Sequence, residues 1–436
     1  MFFDSSVVER SAVSFLFQED RIKWVISAMQ AEKVIARCRY LGQFSEEPGQ
    51  IKRTFLSPAM RDCMHAVQEW MEAAGMEVKI DPAGNLRGRY AGASSTSLMI
   101  GSHLDTVPNS GAFDGMLGVM LGLALVESLD GERLPFSIEL VAFSEEEGVR
   151  FHLPFIGSRA LVGRVDSDFL ATKDGDGISI AQALTSFGLD PLKIKDCQVG
   201  DDVAGFLEFH IEQGILLESE DRSLGVVHAI VGQTRAEMTF TGRARHAGTT
   251  PMRLRNDAVA GAAEWVVAVE RLALETPGLV ATVGDLRTHP GAGNVVAGQL
   301  RASLDVRHED DEVRQRSVHS LLAHAEAIAK RRGLTVASRM LMDQSAVAMD
   351  KGLCAMAAEA IHDIGIQPLS MVSGAGHDAM ILAERVPSTM IFLRSPGGIS
   401  HHPEESVRPQ DVQNALAAGR AFLRHMTKEV SKEQSV

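Results

Sequence analysis

Between about residues 230 and 343 the hydrophobic pattern runs strand, helix, strand, strand, helix, strand. This one segment limits the folds open to the whole chain. "TRAEMTFTG" alternates apolar and polar residues as a half-buried strand does. "NDAVAGAAEWVVAVERLAL" reads as a helix capped by Asn256 or Asp257, and "GLVATVGDL" and "QLRASLDVRH" as two strands. "DEVRQRSVHSLLAHAEAIAKRRG" is a long amphipathic helix. Its basic residues and Gly333 gather at the C-terminal end, where the helix dipole and a left-handed cap favour them. "LTVASRMLM" closes the set, and the βαββαβ order is that of a ferredoxin-like module.

On either side the rhythm is different. "SLMIGSHLD" reads as a buried strand opening into a loop, "GVMLGLALVESL" as a helix, and "FSIELVAF" and "GFLEFHIEQG" as further strands. After the module a helix starts at Asp350 and stops at Gly365, and strand-like "STMIFLRS" follows. The expected architecture is α/β: a larger domain over 31–229 and 344–436, interrupted by a smaller one over 230–343, with an N-terminal extension over 1–30. A chain of 436 residues accommodates that division.

Charge and cysteine usage narrow the function classes. The formal net charge of −14 argues against nucleic acid or an anionic membrane as the main partner. Cys38, Cys63, Cys197 and Cys354 lie far apart with no C-x-x-C pair, which is neither a disulfide framework nor a zinc ribbon, so a reducing cytoplasm is the expected location. The N-terminal "MFFDSSVVERSAVSFLFQED" is interrupted by Asp4, Glu9 and Arg10 and lacks the plan of a secretory signal. No apolar stretch approaches the ~20 residues needed to span a bilayer.

The polar residues at strand ends carry the chemistry. His103 and Asp105 lie just past one strand, Asp114 in a glycine-rich loop, and Glu145, Glu146 and Glu147 after another strand. His210 lies in "FHIEQG", and His401 and His402 in "GGISHHPEE". In open parallel sheets ligands gather beyond the carboxyl ends of strands, so five segments deliver imidazole or carboxylate to one edge. That donor set suits zinc, with manganese also open, and a shared carboxylate offsets the repulsion between two ions. Asp105 is placed to fix the tautomer of His103. Each feature alone has a plainer reading: a solvated acidic turn, a core histidine at 210, a polar turn at 401–402. Their joint occurrence favours the metal.

"GSHLDTVPNSGAFDGMLGV", "AFSEEEGVRF", "HIEQGILLE", "RHAGTTPM", "SGAGHDA" and "GISHHPEE" together resemble the amidase/hydantoinase–carbamoylase branch of the M20 metallopeptidase family, from about residue 30 onward. The resemblance implies a phosphorylase/hydrolase-like mixed-sheet catalytic domain and a ferredoxin-like lid that forms a homodimer. It implies two divalent ions, zinc or manganese: His103, Asp114 and His210 on one, and Asp114, Glu147 and His401 on the other. His401 is favoured over His402, and Glu146 would be the general base. His246 would reach the partner subunit's site and stabilise an oxyanion. Gln213, Asn294 and Arg307 would contact the substrate, an arginine fork suiting a carboxylate. The loop "SGAGH", with Gly376 and His377, would frame the pocket floor. Ala297 departs from the family's usual proline beside Asn294. Plainer readings stand beside these: Arg307 as a surface ion-pair partner, His246 as a turn cap, Asn294 as a left-handed turn residue.

The activity so implied is hydrolysis of a ureido C–N bond in a small acid, foremost allantoate, with release of ammonia and carbon dioxide. An N-carbamoyl-L-amino-acid hydrolase or β-ureidopropionase would use the same machinery. A catalytically silent scaffold is the third reading, and the full complement of ligands with Glu146 argues against it.

Overall fold

The computed structural model describes residues 28–433. Most of the expected N-terminal extension, and the stretch in which no secretory signal was read, fall outside the described residues. The described chain divides into two compact units, one of residues 28–228 with 349–371 and 377–433, the other of 229–348 with 372–376.

In chain order the strands begin with β1 (Glu77–Ile80), β2 (Leu86–Tyr90), β3 (Ser97–His103), β4 (Ser137–Phe143), β5 (Val203–Ile211) and β6 (Leu224–Ile230). There follow β7 (Gly232–Thr241), β8 (Arg245–His246), β9 (Val280–Thr282), β10 (Leu286–His289), β11 (Val295–Val296), β12 (Gln299–His308) and β13 (Thr335–Gln344). The chain then adds β14 (Val347–Ala348), β15 (Leu369–Ser373) and β16 (Ser388–Leu393).

The large sheet has the order β1-β2-β4-β3-β5-β16-β6-β14, with β15 also on β6. Its centre is parallel: β4 on β3, β3 on β5 and β5 on β16. The flanking pairs are antiparallel, which makes the sheet mixed. Every residue of β3, β4 and β16 is buried, as strands covered on both faces must be, and this is why each reads as an unbroken apolar run. The helix Met116–Glu127 is buried from Met116 to Val126, on all its faces, as only a core helix can be. Because the four central strands point the same way, residues that follow them emerge at one edge of the sheet.

The second unit has the sheet order β10-β12-β7-β13, all antiparallel, with β9 also on β12. Helices Ala258–Glu275 and Asp311–Arg332 supply the remaining elements of the βαββαβ order. Trp265 anchors the shared core with Phe240 and Leu321, its Nε1–H donating to the Leu321 carbonyl at 3.0 Å. The first helix is capped by Asp257, which accepts from Val259 and Ala260 N–H, while the Asn256 amide bonds the Gly333 carbonyl instead. The expected single strand "GLVATVGDL" is two short ones. Gly284 and Asp285 turn their N–H groups onto the Ser303 hydroxyl instead of continuing the ladder. Among the described residues no helix is long and apolar enough to cross a membrane.

Candidate metal centre

Three loops and two strand ends meet at the carboxyl edge of the large sheet. His103 is the last residue of β3 and His210 lies one residue from the end of β5. Asp114 precedes the buried helix, separated from it by Gly115 at φ +69°. A Cβ at Gly115 would lie 2.6 Å from the His103 ring, so this position requires glycine both for its backbone and for the approach. Behind β3, the buried Arg53 guanidinium donates to the carbonyl of Leu104 at 2.7 Å and to those of Leu41 and Phe44, pinning the residue between His103 and Asp105.

The imidazole tautomers follow from their partners. His103 Nδ1 lies 3.0 Å from the Asp105 carbonyl and His210 Nδ1 lies 2.9 Å from the Ile211 carbonyl. A carbonyl only accepts, so both Nδ1 atoms carry hydrogen and both Nε2 atoms are left to face the cluster, free to hold a proton or a metal ion. Those nitrogens converge. His210 Nε2 stands 3.1 Å and His103 Nε2 3.7 Å from Asp114 Oδ1, and the two nitrogens are 3.5 Å apart. Oδ1 itself is buried, and the His210 nitrogen is its nearest polar neighbour among these. Two imidazole nitrogens and a carboxylate oxygen this close, out of water, need positive charge among them, as a shared proton or as a cation.

A second set shares the other oxygen of the same carboxylate. His401 Nε2 is 3.1 Å from Asp114 Oδ2 and 3.6 Å from Glu147 Oε1. His103, Asp114 and His210 form one group able to hold an ion, and Asp114, Glu147 and His401 another. The two groups share Asp114, and their imidazole and carboxylate donors are those that borderline divalent metals take. His402 faces away, its Nδ1 accepting from Glu404 N–H at 3.2 Å.

"SEEEG" is not a solvated turn. Glu145 is fully buried and accepts from the N–H groups of Phe55, Arg150 and Phe151. Glu146 is also buried, with Oε2 3.9 Å from His103 Nε2. Asp105 does something other than expected. Its carboxylate accepts from Glu146 N–H at 3.1 Å and Glu147 N–H at 3.0 Å, while its main-chain carbonyl, not its side chain, orients His103. Two adjacent amides offer a carboxylate a better fit than one ring nitrogen, and the carboxylate stands farther off, at 3.6 Å.

The charges are unbalanced. Burial, reinforced by Glu147, pushes the Glu146 carboxyl well above the usual range, and burial with Asp114 does the same to Glu147. Burial opposes ionisation of Asp114 too, but His210 and His401 overcome it and hold that carboxyl well below the usual range. His210 is disfavoured as a cation by burial, yet the bond and field of Asp114 lift it to about 9. A buried cluster that attracts protons this strongly is one that a fixed positive charge would stabilise.

Of the other expected residues in this unit, Gln213 donates from Nε2 to Asp114 Oδ2 at 2.9 Å and has φ +58°. His377 is buried with its ring 4.5 Å from that of His210. In the second unit, His246 pairs with Val295 across β8 and β11 and accepts from Gly248 N–H through Nδ1. Asn294 is exposed, its carbonyl accepting from Ala247 N–H. Arg307 is held on one edge by Asp305, Nε to Oδ1 at 2.8 Å and Nη2 to Oδ2 at 3.0 Å, and its Nη1 donates to the Gly374 carbonyl, two residues before Gly376. The turn-cap and ion-pair readings of His246 and Arg307 thus both describe bonds that exist.

Sequence reasoning missed Glu405, Ser400, Glu208 and Asp378. Glu208 is fully buried and accepts from Ser102 Oγ at 3.0 Å and Ala379 N–H at 2.9 Å. Asp378 accepts from Ser158 Oγ at 2.6 Å. Glu208 had a signal, an acid two residues before His210 inside an apolar strand. Glu405 had only its place four residues after His401.

Residues 99–425 match the model of peptidase family M20/M25/M40. An allantoate deiminase of Glycine max is 35% identical over 432 residues, covering 91% of this chain and 89% of that protein. An N-carbamoyl-L-amino acid amidohydrolase of Geobacillus stearothermophilus is 37% identical over 403 residues, covering 91% and 98%. The solved structure of a hydantoinase/carbamoylase family amidase from Burkholderia multivorans superposes with a TM-score of 0.86 at 33% identity, covering 90% of this chain and 97% of that one. With the strand-end histidines and carboxylates, these likenesses show that the chain belongs to peptidase family M20/M25/M40, in its hydantoinase/carbamoylase amidase branch, and is a hydrolase of C–N bonds in ureido or amide groups.

Proposed function

We propose that this chain hydrolyses the ureido C–N bond of a small ureido acid, with allantoate the leading substrate, using two divalent ions, zinc or manganese. The observation that carries the reading is the convergence of the His103, His210 and His401 imidazoles on the Asp114 carboxylate, with Glu147 beside His401. His103, His210 and Asp114 would hold one ion, and Asp114, Glu147 and His401 the other. Ions bound there supply Lewis acidity toward a carbonyl oxygen and acidify water.

The rest is the work of the chain's own side chains. Glu146 takes the proton of the attacking water and returns it to the departing nitrogen, a role suited to a buried carboxyl with raised proton affinity. His246 stabilises the oxyanion, and Arg307 and Asn294 bind the substrate carboxylate, with Gln213, Gly376 and His377 shaping its surroundings. Water cleaves the ureido group to an amine and a carbamic acid, which breaks down to carbon dioxide and ammonia. The second unit serves as lid and as the contact surface of a homodimer. Val267 and Leu274, seven residues apart on the helix Ala258–Glu275, are 53% and 82% exposed, an apolar stripe that a second copy would cover.

An N-carbamoyl-L-amino acid is the second reading, favoured by the relative of that name at similar identity. Ammonia release from allantoate, N-carbamoyl-L-amino acids and 3-ureidopropionate, assayed with zinc and with manganese, decides between them. Turnover of the carbamoyl amino acids with none of allantoate sinks the first reading. Inactivity on the whole panel with either metal sinks both. Sedimentation showing a fully active monomer at micromolar concentration removes the dimer.

A further inference from the structure

Asp114 and His401 are contributed by loops from opposite ends of the chain. The loop carrying His401 holds that residue at φ +55°, a left-handed conformation that surroundings must enforce. Glu405, 291 residues from Asp114 in sequence, joins the two loops. It is 5% exposed, and its Oε1 accepts from the N–H groups of Phe113 at 2.8 Å and of Asp114 itself at 3.0 Å. Its own N–H donates to the His402 carbonyl at 3.0 Å, closing the turn that follows His401.

Ser400 completes the connection from the other side of His401. Its Oγ lies 3.0 Å from Asp114 Oδ2 and 3.4 Å from Glu405 Oε2, so one hydroxyl faces both carboxylates. Oδ2 is also the oxygen nearest His401 Nε2. The fit around Glu405 is close: a Cβ at Gly111 would lie 2.3 Å from its Cβ and 2.5 Å from Oε1. A carboxylate brought into so tight a place to accept two consecutive amides fixes the path of residues 113–114. No strand pairing fixes that path relative to 400–405, since both segments are loops.

We propose that Glu405 is a positioning residue for the ion shared by Asp114, Glu147 and His401, setting that ion's affinity by locking the His401 loop onto the Asp114 loop. The proposal rests on the two-ion reading above. It distinguishes the two ions: of the first ion's ligands only the shared Asp114 is tied to Glu405, His103 and His210 lying at strand ends, whereas Asp114 and His401 of the second ion both lie on the loops that Glu405 joins. Removing the tie should weaken one ion about 10- to 100-fold, the range found when groups supporting a metal ligand are lost.

Glutamine keeps the tie. Its carboxamide oxygen accepts from Phe113 and Asp114 N–H, and its NH2 group donates to Ser400 Oγ, whose proton then goes to Asp114. The test is metal titration of the chelator-stripped full chain with zinc or manganese alone, read as stoichiometry and affinity by calorimetry and elemental analysis. Melting of the metal-free proteins is measured alongside. The expected result is two ions in the natural protein and in Glu405→Gln, and in Glu405→Ala one ion weakened at least tenfold more than the other. Two ions at natural affinity in Glu405→Ala overturn the proposal while leaving the two-ion reading intact. So does equal weakening of both ions in Ala and Gln variants together with a lowered metal-free melting point, which marks a merely structural group. Should Glu405→Ala fail to fold, Glu405→Asp, too short to reach both amides, must show the same selective loss, and unchanged binding there overturns the proposal. A natural protein that takes up neither metal removes the two-ion reading and this proposal with it.

Discussion

Asp105 grips the backbone of Glu146: one carboxylate oxygen accepts that residue's N–H at 3.1 Å, and the other accepts the N–H of Glu147 at 3.0 Å. One side chain therefore sets the direction of both glutamates at once. Asp105→Asn keeps a single acceptor and turns an NH2 group toward the second amide, donor against donor. The expected outcome is a loss of about 10- to 100-fold in kcat/KM, with weaker metal uptake. Steady-state kinetics at saturating metal check it, and a variant within a factor of two of the natural rate would falsify the positioning role.

Glu146→Gln separates proton transfer from binding. The carboxamide is nearly the same size and cannot accept a proton at neutral pH. Loss of a general base costs about 10²- to 10⁴-fold, so kcat should fall in that range while metal content and substrate affinity stay as they were. Near-natural turnover would place the base elsewhere.

Arg307 is already engaged on one edge by Asp305, which leaves its Nη side for a ligand beyond the Gly374 carbonyl. Lysine cannot reproduce both functions of that fork. Arg307→Lys should raise KM roughly tenfold, about 1.4 kcal/mol, for a ureido acid with a free carboxylate. For the corresponding carboxamide the change should be small, because the lost partner is then absent. An equal rise for both substrates would return Arg307 to a purely structural ion pair.

Many strands and helices can be read in the sequence because period and length are local properties. β3, β4 and β16 are unbroken apolar runs, and the βαββαβ order survives in spite of one strand splitting at Gly284. His103, His210 and Glu147 drew notice because they lie at or just after the ends of apolar strand-like runs, whereas Asp114 and His401 lie in glycine-containing loops. What could not be read is how main-chain groups are used. Asp105 looked like the partner of a histidine two residues away, and its actual partners are amides 41 and 42 residues on. Glu405 was hidden for the same reason: its acceptors' targets are amides of Phe113 and Asp114, and an amide leaves no trace in a side-chain pattern. Arg53, a buried cation whose oxygen partners are all carbonyls, is a third case.

Glu145 puts a magnitude on that kind of role. Its Oε1 accepts from Arg150 N–H at 2.7 Å and Phe151 N–H at 3.3 Å, and its Oε2 from Phe55 N–H at 3.0 Å. It sits at φ +52° and is fully buried, so water cannot replace the carboxylate. Glu145→Ala strands three amides, each costing about 1–3 kcal/mol when unpaired, and should destabilise the metal-free protein by at least about 3 kcal/mol. Glu145→Gln should fall between, since its oxygen keeps Arg150 and Phe151 while its NH2 group opposes the Phe55 N–H. Urea unfolding of the chelator-stripped proteins measures both, free of any contribution from lost ions. An alanine variant within about 0.5 kcal/mol of the natural protein, the usual range for exposed positions, would mean that the first glutamate of "SEEEG" lies in water after all.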